Sequence, residues 1–351
     1  MSEKVRIGLI GLGFMGSTHF RIHQSNPLAE VVAVADINPE RRKGNISDVW
    51  GNIGDADNSQ PLDFSNVETY ADGLEMIQKA DIDMVDICIP TPWHKEMILA
   101  ALAADKHVFC EKPICRNLEQ LEEIIAAVKK SPRYFNVGMC IRAWPEYRHA
   151  KELYDSGALG KLKCANFRRI SPTTDGGGSW KNWFTFYEYC GGALLDMHLH
   201  DTDLVRYFFG KPKAVSAFGA KALRSDRSVD HVIARYDFGD GILISAEGGW
   251  GAAKTIPFEM SFLIICEKAT LQLDNNGYKI HWENGKVETP KLDNAKLPTG
   301  WHQELYYFVK CIKDRVKPDK YQNIDELSDS FRMVMAEEQS IELNQAIEIK
   351  Y

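Results

Sequence analysis

No apolar run in this 351-residue chain approaches the roughly 20 residues that a bilayer-spanning helix needs. The runs present are short, such as Phe262–Cys266, and Val5 to Ile10 at the N-terminus is broken by glycine, unlike a signal peptide. A basic excess is missing too. Lys and Arg number 42 against 49 Asp and Glu, a formal net charge of −7, and the basic residues cluster only at Arg41-Arg42-Lys43. A protein that tracks a phosphate backbone carries a basic stripe, so neither nucleic acid nor a membrane is the expected partner. The 8 cysteines form no C-x-x-C, and the closest pair is Cys110 and Cys115. That spacing excludes ribbon- and finger-type zinc sites and points to reduced thiols in a cytoplasmic protein, with no disulfide and no metal. Several, such as Cys88 within Val85–Ile89, have the apolar company of small core residues.

What is present is an ordinary globular balance, 44% hydrophobic and 26% charged, in a chain long enough for two domains and without internal repeats. From residue 4 to 130, apolar strands alternate with amphipathic helices. Val5–Ile10, Glu30–Ala35, Met84–Ile89 and His107–Cys110 read as strands; Phe14–Gln24, Leu74–Lys79, Lys95–Ala104 and Leu118–Lys129 read as helices. Strands apolar almost throughout require cover on both faces, hence a doubly wound parallel sheet. The polar segment 43–66 interrupts the rhythm as an inserted loop. Beyond about residue 200 the period becomes two, with Asp240-Gly241, Asn276-Gly277 and Asn284-Gly285 as hairpin turns. An antiparallel meander over 213–290 is expected, closed by two helices with Trp301, Leu305, Phe308 and Ile312 on one face and Leu327, Phe331 and Val334 on the other. The fold class is therefore α/β: a Rossmann domain over 1–130, followed by an α+β domain with a large open, mostly antiparallel sheet over 131–351.

Gly11-Leu12-Gly13-Phe14-Met15-Gly16 is a G-x-G-x-x-G placed between a strand and a helix, and the next strand ends at Asp36, twenty residues past Gly16. Gly11 permits the tight turn, Gly13 lets a pyrophosphate approach the helix N-terminus, and Gly16 allows helix and strand to pack closely. Asp36 accepts from a ribose 2′-hydroxyl and repels a 2′-phosphate, which favours NAD over NADP; Arg41 and Arg42 read as a solvated helix face. Lys112, in Glu111-Lys112-Pro113, follows a buried strand and so lies at the carboxyl end of the sheet, where open α/β folds bind ligands. In the stretch from Gly191 to Asp203, Asp196 and His200 are four apart and Asp203 three further on, one face of a helix, while His198 faces elsewhere. A carboxylate beside an imidazole orients it. Metal binding through His198 and His200, or plain surface acids, are the weaker readings of the same stretch, since H-x-H on a helix splays the rings.

These motifs occur in order with Thr91-Pro92 and His94, and together the sequence resembles the Gfo/Idh/MocA oxidoreductases, named for glucose–fructose oxidoreductase and inositol 2-dehydrogenase. The resemblance implies an NAD- or NADP-dependent dehydrogenase that oxidises a secondary hydroxyl of a sugar, sugar acid or cyclitol to a ketone. It implies cofactor contacts from the glycine loop with Phe14 and Met15, from Asp36 and Ile37, from Thr91 and His94, and from Glu111 and Lys112. Lys112 looks like the family lysine that touches nicotinamide ribose and substrate, and Asp196 and His200 like its acid–base pair. Arg142 and Asp203 resemble substrate-side residues of the inositol branch, and Trp183 is either a pocket wall or a core tryptophan. The sequence departs from the family at His198, where a small residue is usual, and in its long 43–66 loop. Two other activities occur among such proteins, a non-catalytic NAD or sugar sensor and an NAD-dependent glycosidase. The family's sheet also implies assembly, and strand Ile242–Glu247, with Leu243 on its outer face, predicts a homodimer or homotetramer through the C-terminal sheet.

Overall fold

The computed structural model describes residues 4–49, 60–172, 180–292 and 295–351. The chain divides into two compact units, the first drawn from residues up to 140, from 180–183 and from 301–324. An expected cut at 130/131 differs from this grouping, because a helix near the C-terminus contributes to the first unit's core.

In the first unit, β1 (Val5–Ile10), α1 (Phe14–Ser25), β2 (Ala29–Ala35), β3 (Glu68–Tyr70), α2 (Gly73–Lys79), β4 (Met84–Ile87), α3 (His94–Ala103), β5 (His107–Cys110), α4 (Leu118–Lys130) and β6 (Phe135–Val137) follow in chain order. The six strands pair in parallel in the order β3-β2-β1-β4-β5-β6, which reverses direction between β1 and β4. That is the dinucleotide-fold order, with its ligand crevice outside the carboxyl ends of β1 and β4. The four expected strands are all present, although the last two residues of Met84–Ile89 leave the sheet. The short edge strands β3 and β6 are additional. Their three-residue segments, Glu68-Thr69-Tyr70 and Phe135-Asn136-Val137, are too short to show a period. Side-chain caps start two of the helices: Asp72 accepts from the Glu75 N–H on α2, and Asn117 from the Gln120 N–H on α4.

The inserted loop is partly core. Ile46, Val49 and Leu62 are buried with Leu9, Leu12, Phe20, Val31 and Val34, and the Leu62 N–H donates to the Gly44 carbonyl at 2.9 Å. Residues 50–59 of that loop lie outside the described residues. On the sheet's other side the helix Gly300–Asp314 inserts Leu305, Phe308 and Val309 against Val5, Ile7, Met84 and Phe109.

The second unit has a nine-stranded sheet. Its elements are α5 (Pro145–Asp155), β7 (Leu162–Pro172), α6 (Tyr187–Cys190), a π-helical turn Leu194–His198, α7 (Leu199–Phe209), β8 (Ala214–Lys221), β9 (Val229–Asp237), β10 (Leu243–Ala252), β11 (Glu259–Cys266), β12 (Ala269–Asp274), β13 (Gly277–Trp282) and β14 (Val287–Glu288). After α8, the helix Gly300–Asp314 of the first unit, come α9 (Ile324–Leu343) and β15 (Ile347–Glu348). The strand order is β14-β13-β12-β11-β7-β10-β9-β8-β15. All three Xaa-Gly turns join antiparallel neighbours, with Gly241, Gly277 and Gly285 at positive φ of 79°, 96° and 87°. The expectation of an unbroken meander over 213–290 is corrected at one place. β10 and β11 are not neighbours; β7 lies between them, parallel to β10 and antiparallel to β11. β7 went unseen because Lys161–Arg169 mixes charge into its alternation. The sheet's packed face carries Val232, Ala234, Tyr236, Ile244, Phe262 and Ile264, while Phe218, Ile233, Leu243 and Leu263 are exposed on the other.

Candidate active-site elements

The glycine loop fits a pyrophosphate by its shape. Gly11 has φ +90°, and a Cβ there would lie 2.4 Å from the Cys88 carbonyl oxygen; one at Gly16 would lie 1.8 Å from the Gly11 oxygen. Both positions exclude any side chain. A Cβ on Gly13 would meet only Arg41 Nη1, at 3.8 Å, so this side of the loop is open to a ligand. Gly13 caps α1 without a side-chain acceptor, leaving the first-turn N–H groups for an anion. Asp36 binds the loop to the end of β2: Oδ2 accepts from the Leu12 N–H and Oδ1 from the Asn38 N–H, each at 2.7 Å. Arg42 donates to the Asp36 carbonyl and Arg41 pairs with Asp48. Phe14 and Met15 are half-buried and Ile37 is largely exposed beside Asp36.

Around the end of β5 the expected residues take unequal parts. Lys112 is half-buried, and its backbone N–H donates to Glu111 Oε2 at 3.1 Å. Thr91 is buried, and its hydroxyl has no hydrogen-bond partner among the described residues. His94, expected at the cofactor, is buried with Nδ1 2.8 Å from the Pro113 carbonyl and Nε2 2.7 Å from that of Ile89. Burial lowers its pKa against those carbonyls. It is a clamp between the loops after β4 and β5, with both ring nitrogens occupied. Trp183 is half-buried within the irregular turn Trp180–Thr185.

Beneath Glu111 lies a polar cluster that the sequence reading missed. His19 Nδ1 contacts Asp86 Oδ2 at 3.0 Å, His23 Nε2 contacts the same oxygen at 2.9 Å, and Cys88 Sγ is 3.3 Å from His19 Nδ1. The other ring nitrogen of His19 is 3.2 Å from Glu111 Oε1, a close approach rather than an aligned hydrogen bond. Burial opposes charge on both His19 and Asp86, yet their pairing prevails. With Cys88 and Asp86 beside it His19 is raised well above its ordinary pKa, and with His19 beside it Asp86 is pulled far below the carboxylate range. Glu304, buried on α8, is pushed up by burial and then by Glu111. The missed signals were an acid inside an otherwise apolar strand, Met84-Val85-Asp86-Ile87, and two histidines four apart on α1. His19, Asp86 and Cys88 also place ligand-type atoms within 4.8 Å of one another, with His19 Nδ1 at hydrogen-bonding distance from both Asp86 and Cys88.

In the second unit the glycine pair Gly191-Gly192 is required by shape: both have φ +75°, and a Cβ on Gly192 would strike Ser228 and Val229 within 2.7 Å. The chain then makes the π turn holding Asp196 and enters α7 with His200. A π turn inside a helix is a frequent feature of functional sites. Asp196 is half-buried and His200 is 9% exposed, while His198, Asp201, Thr202 and Asp203 are at 0–1%. Those four are held from behind. Asp201 takes two bonds from Arg169, at 2.9 and 3.2 Å, and Thr202 donates to Glu337 at 2.9 Å. Asp203 takes Arg142 Nε and Nη2 at 2.7 and 2.8 Å and the Ser330 hydroxyl at 2.7 Å. Arg142 also donates to Glu326 at 2.6 Å. Burial works against its charge, and Asp203 and Glu326 outweigh it. The two residues expected on the substrate, Arg142 and Asp203, are thus bound to each other in the interior and act as a strut under α7. All eight cysteines are free thiols.

The family's NAD-binding Rossmann-fold oxidoreductase domain matches residues 5–139, and its C-terminal domain matches 147–272, together most of the chain. The chain belongs to the GFO/IDH/MocA oxidoreductase family. It is 29% identical over 298 residues to an inositol 2-dehydrogenase of Rhizobium meliloti, covering 84% of this chain and 79% of that one. It is 29% identical over 211 residues to a myo-inositol 2-dehydrogenase of Thermotoga maritima, covering 59% of this chain. For three of the curated relatives it matches, the chain spans 55%, 55% and 60% of their own length. A solved levoglucosan dehydrogenase, in complex with NADH and levoglucosan, shares the fold across 99% of this chain and 100% of that one with a TM-score of 0.84 at 20% identity.

Proposed function

We propose that the protein is an NAD-dependent dehydrogenase that oxidises a secondary hydroxyl of a sugar, sugar acid or cyclitol to a ketone. What supports this reading is the combination of an anion-ready glycine loop in an NAD-binding family domain with a π turn and α7 that carry a half-buried Asp196 and an imidazole, His200, four residues on. Bound NAD+ supplies the acceptor for the carbon-bound hydride. His200 takes the hydroxyl proton as general base, worth ~10²–10⁴-fold. The Lys112 ammonium donates to the substrate oxygen as negative charge develops, worth a further ~10²–10³-fold. Asp196 orients His200 and the substrate. Arg142 and Asp203 contribute by holding α7.

NAD is favoured over NADP. Asp36 puts a carboxylate at the end of β2, which would repel a 2′-phosphate, and Arg41 and Arg42 are both engaged, with Asp48 and with the Asp36 carbonyl. Asp36→Ser should narrow the NAD-over-NADP gap in kcat/KM; a wild type preferring NADP would defeat the argument. The exposed Phe218, Ile233, Leu243 and Leu263 on one face of the second unit's sheet support a homodimer or homotetramer through that face. Light scattering at micromolar concentration tests it, and a monomer refutes it.

The decisive experiment follows NADH absorbance over a panel of cyclitols, aldoses and sugar acids. Turnover with at least one polyol is expected. No turnover by protein that still binds NADH would sink the dehydrogenase reading in favour of a sensor. Release of the aglycone from a chromogenic glycoside would favour a glycosidase.

A further inference from the structure

We infer that His198 is a positioning residue, whose contact with Glu337 sets the register of the π turn and so the relative aim of Asp196 and His200. This rests on the dehydrogenase reading for what the pair does, and on the second unit's geometry for how it is held. His198 closes the π turn: the next residue, Leu199, donates its N–H back to the Leu194 carbonyl, a five-residue step. The imidazole points away from Asp196 into the interior and is fully buried. Its Nε2 lies 3.1 Å from Glu337 Oε2, itself fully buried on α9. The contact is close without being an aligned hydrogen bond.

Glu337 is not free to follow the ring elsewhere. Its other oxygen, Oε1, accepts from the Thr202 hydroxyl at 2.9 Å and from the Tyr236 hydroxyl at 2.7 Å. One carboxyl group therefore joins the π turn, the first turns of α7 and strand β9 to α9. With Oε1 fixed by two hydroxyls, Oε2 faces the His198 ring from a set position. The strand beneath is cut to fit. A Cβ on Gly248 of β10 would lie 2.7 Å from His198 Nδ1 and 2.9 Å from its Cβ. Glycine at 248 and histidine at 198 are one fitted pair, in the stretch where a small residue is usual in place of His198.

Moving His198 must move Asp196, two residues before it, and His200, two residues after it. A misplacement of about 1 Å in catalytic groups can cost on the order of 10²-fold in rate.

The test uses the full-length protein with 13C-labelled histidine, the His200 ring signal being assigned by its loss in His200→Ala. His198→Ala should shift that signal, lower kcat by roughly 10²-fold, and leave KM for NAD+ within about twofold. His198→Gln, whose amide reaches Glu337, should restore most of both. Gly248→Ala should reproduce the defect with the imidazole still present. A His200 signal and kcat unchanged in His198→Ala, or a Gln variant no better than Ala, overturns the inference. If the wild type oxidises no polyol, the dehydrogenase reading fails alone, and the His200 signal in the Ala and Gln variants still decides the role of His198.

Discussion

The two functional regions are built from different materials. In the first unit the glycine loop is shaped by its own backbone, with the Cys88 carbonyl against Gly11 and the Asp36 carboxylate holding the Leu12 N–H. In the second, α7 is held by side-chain clamps from distant chain: Asp203 by Arg142, 61 residues away, and Thr202 by Glu337, 135 residues away. A backbone cradle is damaged by adding atoms, whereas a clamped helix is damaged by removing them.

Four substitutions probe the contrast. The largest effect is expected from Asp203→Ala, which leaves the Arg142 guanidinium buried without the carboxylate that takes its Nε and Nη2. Loss of one member of a buried pair costs about 3–5 kcal/mol, to be read from urea denaturation. A loss under 1 kcal/mol would mean that the strut carries little. Next, His200→Ala should cut kcat by about 10²-fold or more while NADH binding, followed by fluorescence, stays intact. A variant that keeps wild-type turnover would remove His200 from the mechanism. Third, Gly13→Ala has room for its methyl group in the folded protein, so melting should be unchanged while NAD affinity falls about tenfold. Equal loss of stability would show that the loop is tight for folding as well.

The smallest effect concerns Glu304. Its folded pKa is raised, so as pH climbs past the unfolded value of about 4.3 the unfolded chain ionises first and stability falls. Glu304→Gln should remove that decline and raise stability by about 1 kcal/mol at pH 8. Part of the decline should survive the substitution. His19, with its raised pKa, contributes fully below about 6.5 and loses that contribution as pH rises through its folded value. Asp86, with its lowered pKa, contributes above about 3.9 and loses it only as pH falls. A pH profile identical in wild type and Glu304→Gln would show that the buried carboxyl is solvated in some other way.

The same contrast explains what could be read from the chain. The glycine loop, Asp36, the parallel sheet and the three Xaa-Gly hairpins are local patterns, and each was legible. Asp196 and His200 were legible as spacing on a helix, although the π turn beneath them was not. Arg142 and Asp203 carry charge, and a charged residue is read as surface or site by default. Only the fold reveals that each is the other's partner. β7 was lost for a related reason: its partners in β10 and β11 lie 79 to 104 residues downstream, beyond any period that a window can measure.

The placement of Leu305, Phe308 and Val309 against Val5, Met84 and Phe109 has a consequence for synthesis. The strands β1 to β6 of the first unit precede, in order of synthesis, the helix that completes their core, which starts at Gly300. Until that helix emerges, Phe109 and its neighbours lack the cover of Leu305, Phe308 and Val309, and the nascent sheet presents apolar surface of the kind that chaperones hold. The nucleotide-binding unit is therefore completed only after most of the second unit has been made, and residues 4–140 alone lack the helix their sheet requires.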